Sequence, residues 1–449
     1  MNAEQYSMTR PGITLCRAVV VLTLLGSMLA GCSGCDNGGS DACDPACTSG
    51  EVCDSSTGEC VPVRLNRFEG DVPGRGLSMT ELDNRVFLAT IDPRNGYLLV
   101  GDLTESGPRM YILRQFQRVA DKSVAMAANS ELVLVGWLAD DGRYRLATHR
   151  RDGEADRWRT VSGQGAFDLA YDATDDFDVA ADNVGALHLI FRDGEDARAK
   201  HLSVDPDGNW TLQTVDPTPT EDMPDEEASA RERTCPDGTE ITPGEGLGFD
   251  PALLVRGSDL LAAYHDRDCG DLRLARLLED GWAASTVDRG GLGVTPGASG
   301  GVTGRYPSLA ADNSGRIALA YHDVSRSRLV FAFQRNGEFL FEVADGGFEV
   351  DEFSQRRKHL VGPFASLVFD DENRPWIAYM DSTETTLKLA QRTATLSEQG
   401  QWVLRTVDVS APTGFSSQLA GGVVGAESLT PSESGFASQL DLVEIDELQ

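Results

Sequence analysis

Positive charge is the first thing this chain is short of. Its 39 Lys and Arg face 71 Asp and Glu, a formal net charge of −32. A surface this acidic repels nucleic acid and anionic headgroups in bulk, so nucleic acid is not expected as a partner. Catalytic motifs are missing too. No His-Glu-x-x-His and no P-loop occur, so metalloprotease and nucleotide-dependent chemistries have nothing to stand on. Beyond residue 31 no apolar run approaches bilayer length.

What is present begins with an address. Arg10 and Arg17 precede Ala18–Ala30, 13 uncharged residues. That is too short for a comfortable bilayer crossing and right for a signal-peptide core. The run ends in Leu29-Ala30-Gly31-Cys32, which resembles the lipobox of bacterial lipoproteins. The resemblance implies that residues 1–31 are removed and that Cys32 carries a diacylglycerol and an acylated amine. Several chains on one residue anchor stably where one is marginal. An uncleaved signal anchor, or a secretory peptide with Cys32 in a disulfide, is the alternative. In that family an Asp after the cysteine favours inner-membrane retention, so Ser33 points to the outer membrane or cell surface of a Gram-negative bacterium. Which side the protein faces stays open.

Seven cysteines remain after Cys16 and Cys32: Cys35, Cys43, Cys47, Cys53, Cys60, Cys235 and Cys269. The spacing Cys43-x3-Cys47-x5-Cys53-x6-Cys60 resembles the small EGF-like knots beside the anchor of some bacterial lipoproteins. So short a segment cannot fold on its own core and needs disulfides, whose pairing the sequence leaves open. Paired C-x2-C knuckles and nearby histidines are lacking, which argues against zinc. Residues 32–62 are therefore expected to be a lipidated, Cys-rich tether.

From 63 to 409 a unit repeats. Ser308–Asp312, Arg316–Asp323, Leu329–Phe333 and Phe339–Val343 are four β-prone runs parted by Asn313-Ser314-Gly315, Ser325-Arg326-Ser327 and Arg335-Asn336-Gly337. The first run recurs at Ser366–Asp370. The second recurs at Leu187–Asp193, Leu260–Asp266 and Trp376–Asp381. The fourth recurs as Trp210-x4-Val215-Asp216, Trp282-x4-Val287-Asp288 and Trp402-x4-Val407-Asp408. Weaker copies surround Leu98–Asp102 and Trp137–Trp158. Four strands per repeat at a period of tens of residues predict an all-β propeller; an open β-sandwich is the rival, and it does not explain the recurrence. Six units are visible, so six blades are expected, at about 48 residues each, against about 41 for seven. The strand pattern resembles sialidase-like propellers. Their Asp-box, Ser-x-Asp-x-Gly-x-Thr-Trp, is absent, so none of that family's catalytic residues can be placed here. The tail 410–449 ends in Leu440–Ile445, expected to supply one strand that closes the ring.

Long interblade links, 217–246, 291–304 and 347–361, mark one rim as the expected binding face. A Cys235–Cys269 disulfide would pin the first of them. Candidate residues on that rim are Asp193, Asp266, Asp323 and Asp381, each two residues after an aromatic, with His265 and His322. Four carboxylates on one rim suit cations or sugar hydroxyls; the structural alternative has each Asp accepting backbone N–H groups in its own turn. The two histidines are expected at the surface, and the repeated tryptophans in outer-strand packing. No cofactor is expected. Ca2+ has only Asp205-Pro206-Asp207-Gly208 and Asp172–Asp182 in its favour, which lack the alternating spacing of a calcium loop. The expected function is a lipid-anchored envelope binding or scaffolding protein, with protein or glycan partners meeting the rim. A glycan-acting hydrolase of sialidase-like shape is the alternative.

Overall fold

The computed structural model describes residues 51–444, apart from 217–245, 291–300, 162–172 and several shorter stretches. The signal segment, Cys32, Cys35, Cys43, Cys47 and Cys235 lie outside the described residues. Cys53 and Cys60 are backbone partners in the hairpin of Glu51–Asp54 with Glu59–Pro62. Cys269 is disulfide-bonded.

Seven antiparallel sheets form a closed ring. Blades 1 to 7 span 75–115, 124–160, 173–214, 249–288, 305–345, 366–406 and 413–444. The first strand of each lines the axis and adjoins the first strands of its neighbours, blade 7 closing on blade 1. Blades 2 to 6 have four strands. Blade 1 gains a fifth at its outer edge, where Asn66–Arg67 pairs with Gly107–Gln115, and blade 7 has three. The repeat count predicts six blades, so this is a correction. The six repeats are blades 1 to 6, and the C-terminal segment supplies a whole sheet where one strand was expected. Thr413–Ala420, Val423–Ser432 and Gly435–Glu444 carry neither the aromatic-x-Asp nor the Trp-x4-Val-Asp signature, which hides them from the count.

Side-chain size sets how blades meet. Every residue of Ile317–Asp323 is buried, because a second strand has a blade on each side. Ile317, Leu319 and Tyr321 pack toward blade 4, against Leu272 and Val287. Ala318 and Ala320 face blade 6, where Leu367, Ile377 and Tyr379 fill the space. Large residues toward the preceding blade and small ones toward the next let neighbouring sheets nest without overpacking. Outer fourth strands such as Trp210–Thr214 alternate in exposure instead. Trp282 and Trp402 begin such strands, and their ring N–H groups donate to His201 Nδ1 at 3.3 Å and Glu342 Oε2 at 2.9 Å.

The two repeated signatures turn out to be halves of one contact. The Tyr264 hydroxyl donates to Asp216 Oδ2 at 2.8 Å, Tyr321 to Asp288 at 2.7 Å and Tyr379 to Asp345 at 2.7 Å. Each pair joins the second strand of one blade to the end of the preceding blade's fourth strand. Burial, reinforced by the neighbouring carboxylate, pushes the Tyr321 and Tyr379 hydroxyls well above the ordinary tyrosine range, so both remain donors. At the axis a second series runs between first strands. Ser78 Oγ accepts from Met126 N, Asp178 Oδ2 from Leu253 N, Ser308 Oγ from Leu367 N and Ser366 Oγ from Leu419 N, at 2.7–3.0 Å.

Removing one seam hydroxyl should show its worth. Tyr321→Phe strips the 2.7 Å hydroxyl donor from buried Asp288, whose Oδ2 also lies 3.4 Å from Thr303 Oγ1. A loss of about 1–3 kcal/mol in urea unfolding is expected; a loss below about 0.5 kcal/mol would mean the seam does not depend on it.

Candidate functional site

The three long links share a face with the turns between second and third strands. Arg267 N donates to Gly246 O, Ser325 N to Val302 O and Ser382 N to Leu360 O, each joining a link to the next blade's turn. On the opposite face the hairpins are short, closed by aspartates such as Asp312 and Asp370, which accept from Arg316 N and Arg374 N at 2.8 and 2.7 Å.

The rim aspartates are structural in their contacts. Asp193 Oδ1 accepts from Glu195 N, Asp266 Oδ1 from Asp268 N and Cys269 N, Asp323 Oδ1 from Arg326 N, and Asp381 Oδ1 from Thr383 N and Glu384 N. All four are buried. Their other oxygens are engaged as well where contacts are resolved: Asp323 Oδ2 accepts from Arg328 Nε at 2.8 Å, and Asp381 Oδ2 is 2.8 Å from His359 Nδ1. His265 and His322 are also buried, at 2% and 7% exposure, which corrects their expected place at the surface. Both lie on second strands, which have a blade on each side.

What the links bring together is the mouth of the central channel, a space of about 1140 Å³ lined by the first strands. In blades 1, 4 and 5 this strand starts with an irregularity in its pairing, just before the inner-ring position, and in blade 6 Phe364 stands at the same spacing before Ser366. The residue there takes a left-handed conformation: Gly76 (φ 64°), Asp250 (48°), Tyr306 (50°) and Phe364 (55°). Bulky residues adopt this rarely and at a cost of about 1 kcal/mol. Two positions earlier stand Gly304 and Gly362, where a Cβ would meet Leu272 Cα at 2.7 Å and Arg328 O at 3.1 Å. Glycine is required because the link crosses so close over the preceding blade.

The residues so placed form one constellation. Tyr306 and Phe364 are tilted against each other, centroids 4.6 Å apart, and both are partly exposed. The Arg305 guanidinium lies 5.0 Å from the Tyr306 centroid and pairs with Asp250, whose Oδ2 also accepts from Tyr306 N at 3.1 Å. Asp250 N in turn donates to Asp176 Oδ1 at 3.3 Å. Beside them Arg192 and Arg267 lie 4.3 and 5.6 Å from the Phe249 ring centroid. The far end of the channel is different, lined by Glu81, Asp371, Glu372 and other polar residues. An aromatic pair next to a carboxylate–guanidinium pair can stack on a flat apolar surface while offering donors and acceptors to hydroxyls.

Sequence reasoning passed over these residues. The signal for them is the spacing Gly248-x-Asp250-Pro-Ala, Gly304-x-Tyr306-Pro-Ser and Gly362-x-Phe364-Ala-Ser. A Gly-x-Ser-x-Gly spacing also exists, Gly297-Ala298-Ser299-Gly300-Gly301. In sequence it lies between Gly281–Asp288 and Arg305–Ala311, and all of it but Gly301 is outside the described residues.

No protein-family model and no curated protein matches the sequence. Among solved structures, the lectin BP39L from Burkholderia pseudomallei is similar in fold, with 12% identity and a TM-score of 0.51 over 83% of this chain and 96% of that one. An Aleuria aurantia lectin variant in complex with Fucα1-6GlcNAc is 10% identical, TM-score 0.44, over 77% of this chain and 99% of that one. The polysaccharide lyase Uly1 is 11% identical, TM-score 0.45, over 85% and 92%. At such identities the likeness is one of propeller fold.

Burial, with the Arg305 charge as a second cause, lowers the His265 and His322 rings to about 4. The unfolded chain takes up these protons near pH 6.5. The stability each neutral ring contributes is therefore complete above pH 6.5 and lost as pH falls through 4. Asp178 and Asp271, raised by burial to about 7, act oppositely, their contribution being lost as pH rises through 7. His322→Gln should thus flatten the fall in stability between pH 6.5 and 4, by up to about 3 kcal/mol. Parallel wild-type and variant curves in denaturant titrations would refute this.

Proposed function

We propose that this chain is a non-catalytic, envelope-anchored binding propeller that takes a glycan at the long-loop mouth of its channel. The carrying observation is the Tyr306–Phe364 pair, held in left-handed backbone conformations beside Asp250 and Arg305. Strain of this kind persists where the surroundings over-determine it, and it gathers at ligand sites. A sugar offers an apolar ring face and a circle of hydroxyls, and the constellation supplies a partner for each. The lectin BP39L has the same architecture, so the fold is compatible with saccharide binding. In this reading a lipid on Cys32 and the Cys-rich tether hold the propeller off the outer membrane.

A glycan-acting hydrolase is the second reading, favoured by two carboxylates, Asp176 and Asp250, meeting a guanidinium at the mouth. Both are tied into backbone contacts, which suits a structural role better than proton transfer. Reducing-end release from bound oligosaccharide, lost in Asp250→Asn, would establish hydrolysis.

On a glycan array the protein should bind a defined subset of saccharides. Tyr306→Ala and Phe364→Ala should each weaken that binding about tenfold or more in titration calorimetry, with the unfolding temperature little changed. Undiminished binding in the double variant would sink the site. Separately, Cys32→Ala should abolish palmitate labelling and move the protein to soluble fractions; persistent labelling would refute the anchor.

A further inference from the structure

The link between blades 5 and 6 carries a feature that a neutral ligand leaves unexplained. Midway it forms a hairpin, Phe348–Val350 paired with Arg356–Lys358. Arg356, Arg357 and Lys358 are all exposed, three consecutive cations with Glu349 opposite Arg357 in the hairpin register and Asp351 and Glu352 between the strands in sequence. Phe348 is 53% exposed, with the Arg356 guanidinium 3.6 Å and the Lys358 ammonium 4.4 Å from its centroid.

The hairpin is braced. His359, which follows it, is buried, with Nδ1 2.8 Å from Asp381 Oδ2, and its backbone N–H donates to Gly347 O at 2.7 Å. Leu360 N donates to Thr383 Oγ1 at 2.8 Å. The cations therefore stand on a platform fastened to blade 6. The same link ends at Phe364 in the mouth, and the six residues from Lys358 reach at most about 20 Å. One composition then recurs on this face, an aromatic ring with cations over it, at Phe249 (Arg192, Arg267) and at Phe348 (Arg356, Lys358), while the Arg305 guanidinium beside Tyr306 is already paired with Asp250. A ring paired with a guanidinium matches a sugar that bears an acid group, and repetition of the pair matches a chain of them.

We propose that the ligand is a polyanionic glycan, running from the Tyr306–Phe364 mouth across the 348–358 hairpin, its acid groups meeting Arg356, Arg357 and Lys358. This rests on the glycan reading and narrows it to a charge class.

The test uses the whole protein in titration calorimetry against polygalacturonate, dextran sulfate, neutral dextran and poly-glutamate. One of the first two should bind, which separates carboxylate from sulfate, and binding should weaken as salt rises. The triple variant Arg356→Gln/Arg357→Gln/Lys358→Gln, all at exposed positions, should lose about tenfold or more with its melting temperature unchanged. Equal polyanion binding by this variant overturns the inference, and so does equal binding of poly-glutamate, which would assign the face to acidic peptide. Binding of a neutral glycan that needs Tyr306 but not the hairpin overturns it while leaving the glycan reading intact. Failure of every polysaccharide here and on the array overturns both.

Discussion

A carboxylate accepting a tyrosine hydroxyl across a blade seam is the contact that fixes blades 3 to 6 to one another and, through them, the mouth. Asp216, Asp288 and Asp345 end fourth strands, where a carboxylate removed from water must find donors or destabilise the fold. The next blade supplies them. Tyr264, Tyr321 and Tyr379 reach across, and Arg273 adds a guanidinium to Asp216 at 3.1 Å, as Lys388 adds an ammonium at 3.7 Å from Asp345. Apolar packing alone would let neighbouring sheets slide along their common face. A directional, charge-assisted bond does not. It sets the heights of blades 4, 5 and 6, each against the one before it.

From that height the mouth follows. Once fourth strand and next second strand are locked, the connecting link must cross the preceding blade's third strand at close range. Gly304 and Gly362 are the residues that make such a crossing possible. The chain then turns down into the first strand through the left-handed residue, and the inner-ring bond from Ser308 or Ser366 fastens that strand to its neighbour. Tyr306 and Phe364 are aimed at the axis by bonds made elsewhere. This is the support a binding residue needs, since side chains left to position themselves lose affinity to their own freedom.

The propeller was legible because its repeats are loud. Leu260–Asp266, Ile317–Asp323 and Trp376–Asp381 share an apolar run, a tyrosine two residues before the end and a terminal aspartate, and each became a second strand. Blade 7 was illegible for the complementary reason. Its strands carry no tyrosine and no Trp-x4-Val-Asp run, so neither signature marks them. The rim aspartates show a subtler limit. Their spacing correctly marked turns, but spacing cannot say whether a carboxylate points to solvent or to its own backbone. His265 and His322 fell to the same ambiguity, because a strand residue with polar character is read as exposed unless both faces of the strand are known to be covered.

A repeating scaffold and an asymmetric site need not conflict, and this ring shows how they coexist. The positions that hold blades together vary little in type: Tyr or Phe on the second strand, Asp after Val or Ala on the fourth, Ser, Ala or Asp at the inner ring. The left-handed position is under a common backbone constraint while its side-chain contacts differ from blade to blade: Asp250 pairs with Arg305 and accepts from Tyr306 N, whereas Tyr306 and Phe364 pack on each other. There the blades carry Gly76, Asp250, Tyr306 and Phe364, four chemistries at one geometric address. Recurrence therefore argues for structure where residue type is repeated, and for function where geometry is repeated while residue type is not. By that criterion the rim aspartates belong to the scaffold and the mouth is where this propeller differs from a plain ring of sheets.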